Sequence, residues 1–103
     1  MNDRMNQLHK LRTLDPDDAD VPYMIALEHA KAGDPGAAVE WLDRALALDP
    51  SYHYAYFQKG KMLSELGHDD QALAVLDAGI SKAQADGQAK ALGELQELKL
   101  ALQ

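Results

Sequence analysis

The sequence repeats itself with a period of 34 residues. Leu14-Asp15-Pro16 recurs as Leu48-Asp49-Pro50, and Ala32-Gly33-Asp34 is echoed by Leu66-Gly67-His68. A fixed period of roughly 20 to 50 residues is typical of supersecondary units that stack side by side and contact mainly their neighbours. The period therefore predicts a short array of repeated units, not one globular core built around a catalytic cleft.

Small side chains occupy equivalent positions when residues 19–52 are aligned with residues 53–86. These small residues are Ala26, Ala38 and Ala45 in the first unit, and Gly60, Ala72 and Gly79 in the second. Two helices approach closely only where no bulky side chain separates them, so this spacing predicts a helical hairpin closed at three levels. Larger apolar side chains, such as Ile25 and Leu76, are expected to fill the space around them.

This pattern resembles the tetratricopeptide repeat, in which repeat positions 8, 20 and 27 are small, position 24 is apolar and position 32 is proline. Both units match at the small positions, and the first unit also has the proline, Pro50. Four positions depart from the family pattern. In the first unit, position 4, usually aromatic, is Pro22 and position 11 is His29; in the second unit, position 7, usually leucine, is Lys59 and the closing proline is replaced by Gln84. The resemblance implies an all-α fold in which antiparallel helical hairpins stack as a short solenoid.

We expect a single domain over residues 1–103. It divides into an N-terminal helix or partial repeat, two full repeats and a C-terminal capping helix, at residues 1–18, 19–52, 53–86 and 87–103. Hydrophobic spacing and helix stop signals predict six helices, at about residues 2–13, 21–32, 35–48, 52–66, 69–85 and 88–102.

The last predicted helix departs from the repeat. Glu94 falls on the small position 8, and the apolar face is formed instead by Ala91, Leu95, Leu98 and Leu102. This face predicts a helix that caps the exposed edge of the second unit. A seam for a helix of another chain is the alternative.

Composition and charge limit the classes of partner that the protein can bind. The formal net charge is −7, and residues 17–52 alone carry −6. Such a field repels phosphate backbones and anionic lipids, so we expect neither nucleic acid nor membrane partners. There is no cysteine, which excludes disulfides and thiolate metal sites. Residues 1–11 lack the apolar run of a signal peptide and no stretch is apolar enough to span a membrane, so a cytoplasmic location is expected.

Catalytic motifs are missing from the sequence. It has no glycine-rich phosphate loop, no nucleophile elbow and no His-Glu-x-x-His pair. The segment 15–20 contains four aspartates, but the glycine and the closing glutamate of a calcium-binding loop are missing after them. The four histidines are spread one to a segment. We therefore expect no enzymatic activity, no catalytic residue, no cofactor and no metal.

The candidate site follows from the resemblance. In the family, the first helix of each hairpin lines a concave groove, and the matching positions here include Tyr23, Leu27, Tyr54, Phe57 and Lys61. The aromatic side chains would supply contact area, and Lys61 would supply a cation for a carboxylate or carbonyl. Some relatives hold the carboxylate end of chaperone tails with basic and asparagine side chains, and that clamp is missing here. The alternative is that these aromatics pack against the terminal helices or against one another.

The sequence thus predicts a protein–protein interaction module that binds a peptide segment of a partner and acts as an adaptor or assembly scaffold. The alternative is a structural domain that forms homo-oligomers, such as a homodimer, through its terminal helices. Met5, Leu8 and Leu11 form an apolar face on the N-terminal segment, and we expect it to pack against the first repeat of the same chain.

Overall fold

A computed structural model describes residues 3–103, and within this range the chain forms six α-helices and no strand. The helices are α1 (Asp3–Leu14), α2 (Asp20–Lys31), α3 (Pro35–Leu48), α4 (His53–Glu65), α5 (Asp69–Ala85) and α6 (Ala89–Leu102). The all-α prediction is confirmed, and the helix ends differ from the predicted ones by a single residue at most. The predicted start of α1 at Asn2 lies outside the described residues. None of these helices is long and apolar enough to cross a bilayer.

Each hairpin turns at a glycine. Gly33 and Gly67 have φ angles of +80° and +79°, in the left-handed region that side chains disfavour. After the first turn, the Asp34 N–H donates to the His29 carbonyl at 2.9 Å, and the Asp34 carboxylate accepts from the Ala37 N–H at 3.0 Å. One residue thus closes α2 and caps α3, as the Gly33-Asp34-Pro35 sequence predicts.

The predicted small positions lie where the helices of each hairpin meet. All of them are buried: Ala26, Ala38, Ala45, Gly60, Ala72 and Gly79. A Cβ atom added to Gly60 would lie 2.6 Å from Leu76 Cδ2, and one added to Gly79 would lie 2.6 Å from Tyr56 Cβ. Carbon atoms in contact prefer about 3.5 to 4.0 Å, so the two glycines set how closely α4 and α5 pack.

The two hairpins share one hydrophobic core. Its buried residues are Ala26, Ala38 and Leu42 from the first hairpin and Ala55 and Met62 from α4. Lys59, which stands where the family has leucine, reaches across to α3, and its Nζ lies 2.6 Å from Asp43 Oδ1. A long alkyl stem lets a lysine occupy a packing position while its ammonium group reaches a carboxylate at the surface.

Helix α1 packs against the first hairpin of the same chain, as predicted. Leu8 is fully buried and forms a cluster with Val21 and Ile25 of α2. The end of the helix is not covered: Leu11 is 44% exposed and Leu14 is 81% exposed. Intramolecular packing therefore involves the middle of α1 and leaves its C-terminal turn in solvent.

Helix α6 packs on α5 and α4. Its buried Ala91 and Leu95 form a second core cluster with Leu76 and Ala83 of α5. The α5–α6 turn is of the kind found inside the hairpins, because Gly87 also has a positive φ, +68°. Helix α6 therefore folds back directly on α5 without the aspartate-proline connection that joins α3 to α4.

Candidate functional site

Two of the predicted site residues line one groove, between α2 and α4. The groove has a volume of about 330 Å³ and is lined by Leu27, Ala30, Lys31, Gln58, Lys61, Met62 and Glu65. Leu27 is half-buried and supplies part of the apolar floor, while Lys61 is exposed. Stacking of the hairpins places the first helix of each unit side by side, so residues 34 positions apart face the same groove.

The α2–α4 groove carries more positive than negative charge. Lys31 and Lys61 contribute two ammonium groups, and Glu65 contributes one carboxylate. Lys31 Nζ lies 3.4 Å from Glu28 Oε2, whereas Lys61 forms no ion pair with any residue in 3–103. An ammonium group without a carboxylate partner beside apolar surface can attract an acceptor on a bound segment.

Phe57 lines a separate groove, between α4 and α6. This groove has a volume of about 280 Å³ and is lined by Phe57, Glu94, Glu97 and Leu98. Phe57 is half-buried and packs against the second core cluster. The two carboxylates make this groove acidic, in contrast to the α2–α4 groove.

Tyr54 lies beside α6 and remains 37% exposed. Desolvation raises the pKa of Tyr54, and the nearby carboxylate of Glu94 raises it further. Tyr54 thus lies near Glu94 at the edge of the acidic groove.

Tyr23 is held further from solvent. Its ring stacks on Tyr52 with centroids 4.7 Å apart and an interplanar angle of 22°. Burial raises the pKa of Tyr23, and the neighbouring Gln58 side chain opposes that effect. Because Gln58 also lines the α2–α4 groove, Tyr23 supports the groove wall while its ring packs against the first core cluster.

The five predicted residues thus do not form one continuous exposed strip. Leu27 and Lys61 lie together, Phe57 lines the neighbouring groove, and Tyr23 and Tyr54 make contacts within the protein. Packing against a terminal helix, one alternative from the sequence, describes Phe57, which packs against the cluster that contains Ala91 and Leu95 of α6. Tyr23 stacks instead on Tyr52, which is not one of the predicted site residues.

The contribution of α6 to the grooves was missed by the repeat alignment. Leu95 is buried at the position next to Glu94, so α6 is rotated relative to the first helix of a regular repeat. This rotation turns Glu94 toward α4. The signal was present in the sequence, because a glutamate at a small position indicates that this position does not pack against a helix.

No group of three or more His, Cys, Asp or Glu side chains that could hold a metal occurs within residues 3–103. The grooves present ammonium, carboxylate, amide and apolar groups. Such a surface can bind a polypeptide segment by contact area, hydrogen bonds and charge.

Comparison with known proteins agrees with the geometry. A sequence model described as "Tetratricopeptide repeat" matches residues 29–95. The crystal structure of a tetratricopeptide repeat domain protein from Salinibacter ruber is 32% identical, with a TM-score of 0.76 over 82% of this chain and 94% of that one. The solution structure of a protein from Bordetella parapertussis is 25% identical, with a TM-score of 0.85 over 99% of this chain and 89% of that one.

A third structure shares the fold at lower identity. The TPR2B domain of yeast Sti1, in its pHsp70 complex, is 21% identical and has a TM-score of 0.89 over 95% of this chain and 78% of that one. The family match runs from the last turn of α2 through α3, α4 and α5 to the buried Leu95 of α6. The chain therefore belongs to the tetratricopeptide repeat family, whose helical repeats are protein-interaction modules.

Proposed function

We propose that this protein is a non-catalytic adaptor or scaffold that binds an extended segment of a partner protein across the two grooves on α2, α4 and α6. The observation that carries this proposal is the α2–α4 groove of about 330 Å³, which is lined by Leu27 and by Lys61, whose ammonium group has no carboxylate partner among residues 3–103. We also propose the cytoplasmic location and the division into segments 1–18, 19–52, 53–86 and 87–103 that the sequence predicts.

The charges of the two grooves determine which end of the bound segment lies over which groove. Lys61 favours an acidic residue over the α2–α4 groove, whereas Glu94 and Glu97 favour a basic residue over the α4–α6 groove. A segment with an acidic and a basic residue, separated by apolar side chains that reach Leu27 and Phe57, satisfies both. Two small grooves offer limited contact area, so we expect micromolar affinity by order of magnitude.

The structures of related folds support a peptide partner in general terms. The yeast Sti1 domain with the same fold was solved as a pHsp70 complex, so this arrangement of helices is compatible with a bound polypeptide. The identity of the partner does not transfer at 21% identity.

A selection from a random peptide library displayed on phage tests the proposal. Peptides enriched on the immobilised protein are synthesised, and their affinities are measured by fluorescence anisotropy for the parent and for Lys61→Glu. Lys61 is exposed and unpaired, so this substitution reverses the groove charge without touching the core. Lys90→Glu is the matched control, because Lys90 is exposed on α6 and lines neither groove.

We expect Lys61→Glu to weaken the selected peptides at least tenfold and Lys90→Glu to leave them within about twofold, with the melting temperature unchanged in both. Retention of every selected peptide by a folded Lys61→Glu protein would place binding elsewhere. Substitutions of Tyr23 or Phe57 are poorer tests, because both side chains pack against the core clusters and their loss lowers stability as well.

Self-association through the terminal helices is the second candidate function. Among residues 3–103, the two most exposed large apolar side chains are Leu14 at the end of α1, 81% exposed, and Leu100 on α6, 71% exposed. Sedimentation equilibrium across a concentration range tests this candidate. A mass that doubles with concentration, and returns to the monomer value in Leu14→Ser or Leu100→Ser, would support it; a monomer mass throughout would reject it.

A further inference from the structure

A second cavity lies away from both grooves, where the end of α1 meets the start of α2 and the second half of α3. Its volume is about 240 Å³, and it is lined by Arg12, Pro16, Pro22, Arg44, Ala47 and Leu48. It shares no lining residue with the α2–α4 or α4–α6 groove. We call it the arginine cleft, and the inference drawn from it does not depend on the proposed function.

Two arginines in this cleft are held by one tryptophan. The Arg12 and Arg44 guanidinium carbons lie 4.9 Å and 4.2 Å from the centroid of the Trp41 ring. His9 contacts the same ring edge-on, at 5.4 Å between centroids. Contact with an aromatic ring fixes the planar guanidinium group and leaves its N–H groups free to donate in its plane.

Neither arginine has an acidic partner among the described residues. Arg12 and Arg44 form no ion pair or side-chain hydrogen bond to any of them, although Asp and Glu outnumber Lys and Arg by 17 to 10 in the chain. Arg4, Lys31, Lys59 and Lys99 each lie within 4 Å of a carboxylate. Two neighbouring cations without a counter-charge repel each other, and an anion placed between them removes that repulsion.

The remaining walls of the cleft are apolar. Pro16, Pro22, Ala47 and Leu48 line it, and Leu48 is 42% exposed. A volume of 240 Å³ lies just below the roughly 300 to 1,000 Å³ of pockets that bury whole drug-sized ligands. It fits one or two amino-acid side chains, one apolar and one anionic.

The surroundings favour a single carboxylate over a chain of phosphates. Pro16 is flanked by Asp15 and Asp17, both exposed, and Asp18 and Asp20 follow closely. A nucleic acid or an anionic membrane would have to pass this acidic loop, whereas one carboxylate can reach the two guanidinium groups without doing so.

We propose that the arginine cleft binds a partner protein segment in which an Asp or Glu follows an apolar residue. The carboxylate of this segment accepts hydrogen bonds from the N–H groups of Arg12 and Arg44. The apolar side chain lies on Pro16, Pro22 and Leu48. The cleft is therefore a second interaction surface, formed by the end of α1, the start of α2 and the second half of α3, and it shares no lining residue with the α2–α4 groove.

Trp41 reports on this cleft directly, because it is the only tryptophan in the chain and contacts both arginines. Its fluorescence is followed as acetyl-Leu-Asp-amide is added, in which only the side-chain carboxylate is charged. Acetyl-Leu-Asn-amide is the neutral control, acetyl-Leu-Leu with a free carboxyl end supplies a terminal carboxylate, and inorganic phosphate supplies a different anion. The variants are Arg12→Gln and Arg44→Gln, with Arg4→Gln as the matched arginine control on α1.

We expect saturable binding of acetyl-Leu-Asp-amide in the millimolar range by order of magnitude, at least tenfold weaker binding in either cleft variant, and no change in Arg4→Gln. Arg12 and Arg44 are exposed, so circular dichroism should show folded variants. If a glutamine variant unfolds, Arg44→Lys keeps the charge but loses the planar fork, and its weaker binding supports the same assignment.

Equal binding of the Asn and Asp peptides, or unchanged affinity in the cleft variants, would overturn the proposal. Tighter binding of phosphate would make the cleft a general anion site, and tighter binding of the free carboxyl end would assign it to chain termini. A change in Trp41 fluorescence with protein concentration alone would identify a second copy as the occupant. Each of these results contradicts the assignment to an internal acidic segment.

Discussion

Replacement of Gly79 by alanine tests the close packing that defines the second repeat. A Cβ atom at this position would lie 2.6 Å from Tyr56 Cβ, 3.1 Å from Tyr56 Cγ and 3.3 Å from Leu95 Cδ2. Tyr56 Cβ is fixed to the α4 backbone, so relief requires α4 and α5 to move apart. Overpacking of this kind costs about 1 to 3 kcal/mol, and the higher helix propensity of alanine offsets up to about 1 kcal/mol of it.

Gly93→Ala is the matched control. Gly93 also lies inside a helix, but a Cβ atom added there would meet no atom of a neighbouring element within 4 Å, so only the helix propensity changes. We expect Gly93→Ala to raise the free energy of unfolding by about 0.5 to 1 kcal/mol and Gly79→Ala to lower it by about 1 to 2 kcal/mol. Because both variants gain the same propensity, the difference between them measures the packing cost alone.

The assay is urea unfolding followed by circular dichroism at 222 nm, with thermal melts alongside. For a chain of this size, about 1 kcal/mol corresponds to roughly 4 to 8 °C in melting temperature. If Gly79→Ala were as stabilised as Gly93→Ala, the added methyl group would not force α4 and α5 apart. The close-packing account of the repeat would then be wrong.

Single contacts give three further predictions. Asp34→Ala removes the cap of α3 and should lower stability by about 1 kcal/mol in the same urea assay; no loss would mean that the cap is dispensable. Asp86 Oδ2 lies 2.7 Å from His53 Nε2, and this contact lowers the pKa of Asp86 below its ordinary 3.8. The stabilisation that the ionised Asp86 contributes is therefore present above about pH 4 and is lost as the pH falls through the lowered pKa. Acid unfolding of Asp86→Asn, measured from pH 5 downward, should therefore be shallower than that of the parent, and identical profiles would contradict the contact. Deletion of residues 1–13 removes Leu8 from its cluster on α2 and should lower the melting temperature, whereas an equally stable truncated protein would show that α1 adds no stability.

The repeated part of the fold could be predicted from the sequence because its determinants are local and periodic. The glycine turns, the Asp34 cap and the six small positions each follow from residue size or backbone freedom, and the structure places them as expected. Intramolecular packing of α1 could be predicted for the same reason, since Leu8 lies on its apolar face.

The surface of the candidate site could be predicted only in part. The repeat alignment identifies which residues of α2 and α4 face the groove, and Leu27 and Lys61 do so together. Glu94 at a small position signals that α6 departs from the repeat, but the alignment does not show which side chains Glu94 meets, and these are Tyr54 and Phe57. The arginine cleft depends on contacts between α1 and α3 that no spacing along the chain encodes.

Mapping a selected peptide by NMR tests the central claim most directly. The ¹⁵N-labelled protein is titrated with a library-selected peptide, and the shifted backbone amides are located on the helices. Binding to the two grooves predicts that the largest shifts cluster around Leu27, Lys61 and Phe57 on α2 and α4 and around Glu94 on α6, with α1 and the second half of α3 unchanged. Shifts confined to the surroundings of Trp41 or Leu100 would contradict a partner site in the grooves.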